Sequence, residues 1–145
     1  MIIHPLQELG GKDKLIHTVR IGLGAGVTTE STALGTNVLD ANTTGDFNTG
    51  VGFQALKVNT TGKSNTAVGD WALHSNTIGN YNTAVGVNSL YLNTTAGYNS
   101  AFGAHSLKVS TTGVQNDAFG AYSLYKATTA NYNAGFGGST LVKSY

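Results

Sequence analysis

The chain has 145 residues, a net charge of +1 and a pI near 8.0, which fits one domain and leaves no electrostatic footprint for nucleic acid. Charged residues make up 10% of it, against about 25% in ordinary soluble domains, and 20 glycines with many Asn and Thr take their place. The absence of cysteine excludes disulfides, and no apolar run approaches the roughly 20 residues of a membrane span, so membrane insertion is not expected.

Residues 1–24 (MIIHPLQELGGKDKLIHTVRIGLG) hold Glu8, Lys12, Asp13, Lys14 and Arg20 together. They contain no continuous apolar core of a secretory signal and no cleavage site. Ile16, Thr18 (or Val19) and Ile21 predict one conventional strand, and the segment as a whole reads as an attachment segment. Gly22-Leu23-Gly24-Ala25-Gly26 superficially resembles a dinucleotide loop. Its third glycine falls one residue early and no helical pattern follows, so a link into the next element is the better reading.

From Asn42 to Lys143 the chain is six consecutive blocks of 17 residues without insertion or deletion, and a worn seventh copy precedes them from Ala25 to Ala41. So short a period predicts a solenoid in which each repeat is one rung touching only its neighbours. We number the repeat from 1 at the Asn of Asn42-Thr43-Thr44-Gly45. Position 11 is Gly and position 15 is Leu in all seven copies, position 10 is a large apolar residue, and position 7 is Asn in six. Thr, Asn and Gly are poor helix formers and good strand or turn residues. The expected rung has two short strands, at positions 7–11 and 13–17. Gly at 11 supplies a backbone angle closed to other residues, and stacked Asn at 7 forms a ladder.

Alternation along each strand then assigns the faces. The large residues at 10 and 15 are expected to form the core: Val68, Val85, Phe102 and Phe119 with Leu56, Leu73, Leu90, Leu107 and Leu124. The small residues at 9, Ala67, Ala84, Ala101 and Ala118, are expected on the opposite face with position 14. A solvated strand face normally carries long polar residues, so this column reads as the interface with other copies of the chain in a homotrimer. The predicted organisation is an all-β parallel β-solenoid, or β-roll, over residues 25–145, preceded by the attachment segment 1–24.

The side chains that carry chemistry form no constellation. The carboxylates of the repeats occupy different positions in different rungs, so no acid/base pair is evident. His4, His17, His74 and His105 lack metal-ligand spacing. Neither an enzyme nor a cofactor or metal site is expected. The sequons at Asn42, Asn59 and Asn93 arise from the repeat itself. Thr recurs at positions 2 and 3, as on ice-binding solenoids, but adjacent residues face opposite ways, so only one Thr column points outward. Aromatics thicken toward the C-terminus. Tyr122, Tyr125, Tyr132 and Tyr145 are the candidate ligand-binding residues, grouped at a C-terminal tip and suited to stacking on sugar rings.

Asn65-Thr66-Ala67-Val68-Gly69-Asp70-Trp71-Ala72-Leu73 and Asn82-Thr83-Ala84-Val85-Gly86-Val87-Asn88-Ser89-Leu90 resemble the Asn-Thr-Ala-(Val/Ile)-Gly repeats of bacteriophage tail fibres and virion spikes. They are similar also to the β-roll head of trimeric autotransporter adhesins, whose rungs are shorter. The resemblance covers about 119 of the 145 residues. It implies a trimeric β-roll that serves attachment. A signal peptide, stalk and membrane anchor of the adhesin kind, and a self-cleaving chaperone domain of the fibre kind, are not expected. The resulting expectation is a structural spike or fibre on a virion, joined through residues 1–24 to a capsid, baseplate or other virion protein and recognising a host surface receptor or glycan. An ice- or surface-binding solenoid, an adhesin head fragment and a polysaccharide depolymerase are the alternatives.

Overall fold

A computed structural model describes residues 30–140, together with the backbone of three earlier strands. These strands are β1 (Glu8–Leu9), β2 (Asp13–Ile16) and β3 (Val19–Gly22). Seven three-residue strands follow at the 17-residue period: β4 (Thr32–Leu34), β5 (Thr49–Val51), β6 (Thr66–Val68), β7 (Thr83–Val85), β8 (Ser100–Phe102), β9 (Asp117–Phe119) and β10 (Ala134–Phe136). All ten form one sheet in sequence order. From β4 to β10 the pairing is parallel and in strict register, so Thr66 pairs with Thr83, Ala67 with Ala84 and Val68 with Val85. The chain is therefore an all-β parallel β-solenoid.

Residues before the repeat do not stand apart from it. Strands β1, β2 and β3 form an antiparallel meander, and β3 pairs antiparallel with β4, Ile21 opposite Leu34 and Gly22 opposite Ala33. The single strand predicted there is thus two, Asp13–Ile16 and Val19–Gly22. Together they cover the first edge of the coil, which would otherwise present unpaired backbone groups.

Each rung holds one strand, not two. Positions 8–10 are extended, but positions 13 and 15 are left-handed in every described rung, as at Trp71 (φ 58°) and Leu73 (φ 50°). Position 6 is left-handed as well, for example Tyr81 at φ 59°. A left-handed residue costs about 1–2 kcal/mol for a side chain with a Cβ. Full burial of a Leu returns about 1.5–3 kcal/mol, and Leu39, Leu56, Leu73, Leu90, Leu107 and Leu124 are all fully buried. Burial therefore holds the leucines in a conformation they disfavour, and the second strand gives way to a tight turn. Glycine at position 11 adopts φ near +130° at Gly69, Gly86 and Gly103, a region that L side chains rarely enter.

The structure reverses the two columns of the strand. Ala67, Ala84, Ala101 and Ala118 are 0% exposed inside the coil of a single chain, so they are core residues and offer no surface to a partner. Val68 and Val85 are only half-buried, and Phe102 and Phe119, each 37% exposed, lie outside the core. The cause is the Asn at position 7. It points inward, so period two carries position 9 inward with it and position 10 outward.

Two Asn ladders fill much of the interior. At position 7, the Asn65 Nδ2 donates to Asn48 Oδ1 (3.1 Å), Asn82 to Asn65 (3.2 Å), Asn99 to Asn82 (3.3 Å) and Asn116 to Asn99 (3.2 Å). The second amide hydrogen reaches the position 4 carbonyl of the following rung, as from Asn65 to Gly79 (2.8 Å). A second ladder at position 1 links Asn42, Asn59, Asn76 and Asn93. Remaining space is small, and sizes compensate across it. A Cβ on Gly50 would sit 2.4 Å from Val38 Cγ1, and one on Gly135 2.7 Å from Thr140 Oγ1. Gly50 makes room for Val38 of the preceding rung, and Gly135 for Thr140 of its own.

The position 1 ladder stops at Ser110. Asn93 Oδ1 and Ser110 Oγ are left buried without a hydrogen-bond partner among the described residues. An unsatisfied buried group costs about 1–3 kcal/mol. Ser110→Asn extends the ladder by one rung and gives Asn93 Oδ1 a donor. The expected result is a rise in melting temperature of about 3–9 °C, taking roughly 3 °C per kcal/mol for a chain of this size, readable by circular dichroism.

Candidate functional site: an aromatic and basic flank

Left-handed backbone at position 13 and the turn that follows carry the side chains of positions 13 and 16 outward together. A 17-residue period then stacks like positions on one another at about 4.8 Å per rung, which sets rings face to face. His105 stacks on Tyr122 in column 13, with centroids 4.8 Å apart. In column 16 His74 stacks on Tyr91 at 5.2 Å. Within one rung Tyr122 meets Tyr125 at 5.6 Å, tilted by 41°, so the two columns form one flank. Lys108 Nζ lies 5.9 Å from the centre of the Tyr91 ring, within cation–π range. Trp71 meets Phe53 edge-on at 5.7 Å and donates from Nε1 to Gln54 Oε1 at 3.0 Å.

Both histidines on this flank titrate below their ordinary value. Burial is the larger cause in each case, followed by the charge of Lys57 beside His74 and of Lys108 beside His105. His105 Nδ1 is buried with no hydrogen-bond partner among the described residues.

The four predicted tip tyrosines do not form one group. Tyr122 and Tyr125 lie together on this flank. Tyr132 stands in a different column, position 6, and is 74% exposed, and Tyr145 lies outside the described residues. Position 6 carries a second aromatic column, with Tyr81 stacked on Tyr98 at 5.0 Å and Phe47 exposed. The sequence singles out Tyr122 and Tyr125 of positions 13 and 16 for ligand binding but not the position 6 column, although Tyr81, Tyr98 and Tyr132 share that repeat position.

A third surface is the outward ladder of position 10. Val51, Val68 and Val85 lead into Phe102, Phe119 and Phe136, whose rings stack nearly parallel, 4° and 2° apart, at 5.0 and 5.2 Å. Phe53 and Val87 at position 12 are exposed beside it. The Thr hydroxyls of position 2 are tied down, each donating to the carbonyl of the next Thr in the column, as Thr60 does to Thr77 (3.0 Å). Position 3 presents an exposed Thr column that Ile78 interrupts, and Thr32, Thr49, Thr66 and Thr83 of position 8 form a second outward column, half-buried after Thr32, on the same strand face as position 10.

Among the described residues no group of three or more His, Asp and Glu is placed to hold a metal ion, and no helix is long and apolar enough to cross a membrane. No protein-family model, curated protein or solved structure matches the chain.

Proposed function

We propose that the chain is a homotrimeric structural spike or fibre of a virion, attached through residues 1–24 to a capsid, baseplate or other virion protein, and that it recognises a host surface glycan. One observation carries the reading. A coil with its own interior already filled by Asn, Ala and Leu keeps an unbroken outward ladder of Val and Phe. Exposed contiguous apolar surface of this kind marks an interaction face. Parallel, in-register rungs make the ladder straight, so identical copies can meet along its whole length. The resemblance to fibre and adhesin repeats supports three copies and a role in attachment. Aromatic columns on the remaining flanks support glycan recognition, since sugars stack on or hydrogen-bond to such rings, and three copies around one axis multiply weak contacts.

The interface therefore lies at position 10, in place of position 9. Val85→Glu with Phe119→Glu is expected to give a soluble, folded monomer with the parent's circular dichroism spectrum, as measured by sedimentation. Ala84→Glu places a charge inside the coil and is expected to prevent folding altogether. A double variant that still sediments as the wild-type oligomer removes position 10 as the interface.

A further inference from the structure

Residues 30–140 contain four lysines and no arginine, and three of the four lysines fall in adjacent columns of the coil. Lys63 stands at position 5 and is paired with Asp46 at 3.4 Å. Lys57 and Lys108 share column 16, and Lys126 stands next to that column at position 17. None of these three pairs with a carboxylate among the described residues. The acidic residues lie elsewhere for the most part. Asp46 is at position 5, Asp117 is in β9, and Asp70 Oδ1 accepts from the Phe53 backbone N–H at 3.0 Å. Asp40 occupies column 16 in the first rung, one rung from Lys57, and borders the strip at that end.

Column 16 thus reads Lys57, His74, Tyr91, Lys108, Tyr125. Its side chains are half-buried, so the rings are fixed in place by the rungs on either side. Ring contacts cover part of their faces: His74 stacks on Tyr91, His105 stacks on Tyr122, and Tyr125 leans tilted against Tyr122. What remains available to a ligand is the tyrosine hydroxyls, which have no partner among the described residues, and the lysine ammoniums. A neutral sugar seeking a bare aromatic face finds little here, whereas a chain with regularly placed anions and many hydroxyls finds cations and donors in a line. Lys57 and Lys108 are three rungs apart, about 14 Å at roughly 4.8 Å per rung. That spacing suits an extended polymer of sugar rings. It is sparse for nucleic acid, whose closely spaced phosphates call for a dense basic surface.

We infer that the strip Lys57, His74, Tyr91, Lys108 and Tyr125, with His105 and Tyr122 alongside, is a binding track for an acidic, carboxylate-bearing polysaccharide. This rests on the glycan-recognition reading above and gives it a ligand class and a place on the side of the rod.

Binding of the purified full chain to polygalacturonate, to uncharged dextran and to polythymidylate, followed by biolayer interferometry, tests the inference. Polygalacturonate is expected to bind and dextran not to. Affinity should fall by about tenfold or more between 50 and 300 mM salt, because charged contacts release counterions. Lys57→Gln with Lys108→Gln should lower it by a further tenfold or so at low salt, with an unchanged melting curve. Lys63→Gln, on another flank, should leave it as it was. Equal binding of dextran and polygalacturonate, unaffected by the lysine pair, overturns the acidic ligand and leaves glycan recognition standing. Retention of neither polysaccharide overturns both. Tighter binding of polythymidylate than of polygalacturonate makes the strip a nucleic-acid site and overturns the inference too.

Discussion

Gly86→Ala is expected to abolish folding or to lower the melting temperature by more than about 10 °C. Its Cβ would lie 2.6 Å from the Gly103 carbonyl carbon and 2.9 Å from the Ala104 nitrogen, both backbone atoms of the next rung. That rung cannot retreat without breaking the bond from Gly103 N–H to the Val85 carbonyl at 2.8 Å. Overpacking costs about 1–3 kcal/mol and an unfavourable backbone region another 1–3 kcal/mol, against a total stability of about 5–15 kcal/mol. Gly137 provides the comparison. Its φ is +106°, but nothing lies within 4 Å of its Cβ position. Gly137→Ala therefore carries the backbone strain alone, and a fall of about 3–9 °C follows at roughly 3 °C per kcal/mol. Equal effects of the two substitutions, in thermal melts followed by circular dichroism, would mean that close stacking of position 11 contributes nothing.

Asn82→Ala is the second large effect. Asn82 Oδ1 accepts from the Asn99 backbone N–H at 3.1 Å and from Asn99 Nδ2 at 3.3 Å, and its own Nδ2 donates to the Ala96 carbonyl at 2.8 Å. Removing the amide leaves the Asn99 backbone N–H without its partner and takes one hydrogen bond each from Asn99 Nδ2, the Ala96 carbonyl and Asn65 Oδ1, in a fully buried column. An orphaned buried donor costs about 1–3 kcal/mol and each further bond lost about 0.5–1.5 kcal/mol, so the loss is about 3 kcal/mol or more. Asn131 makes a similar bond at the surface, accepting from the Val114 N–H at 2.8 Å in an exposed setting. Water replaces the lost partner there, and Asn131→Ala should cost less than about 1 kcal/mol. Urea titration of the two variants measures the difference. Similar midpoints would show that the ladder is incidental to stability.

Much of this fold is legible in the sequence, and the residues show why some of it is not. The 17-residue period, the glycine at 11, the Leu column at 15 and the Asn ladder at 7 each have one physical reading, and the structure has all four. Side-chain size is a poor guide to burial in this coil, and the expected faces of positions 9 and 10 are exchanged for that reason. Val85 and Phe119 are larger than Ala84 and Ala118, but the interior already holds two rows of Asn and one of Leu, and only a methyl fits beside them. The Asn at position 7 held the better clue, since an inward Asn takes position 9 with it. Paired size changes, Gly50 with Val38 and Gly135 with Thr140, pointed the same way.

The left-handed leucines were not legible. Local preference disfavours Leu at φ near +50°, and only packing from neighbouring rungs imposes it. The surface columns lay between these cases. That Tyr81 and Tyr98 share a repeat position follows from the sequence, but whether their rings stack or splay depends on the backbone at position 6. The predicted tip divided for the same reason. Tyr122 and Tyr132 are close in sequence, but they occupy positions 13 and 6 and so belong to different columns.

An outward ladder of Val and Phe calls for partner chains to cover it, and sedimentation equilibrium of the purified wild-type chain measures whether they do. Three copies of a 15.0 kDa chain give a mass of 45 kDa. That mass is expected, with no dissociation on dilution through the micromolar range. A single 15.0 kDa species at every concentration would mean that Val51, Val68, Val85, Phe102, Phe119 and Phe136 face solvent, and would contradict that assembly.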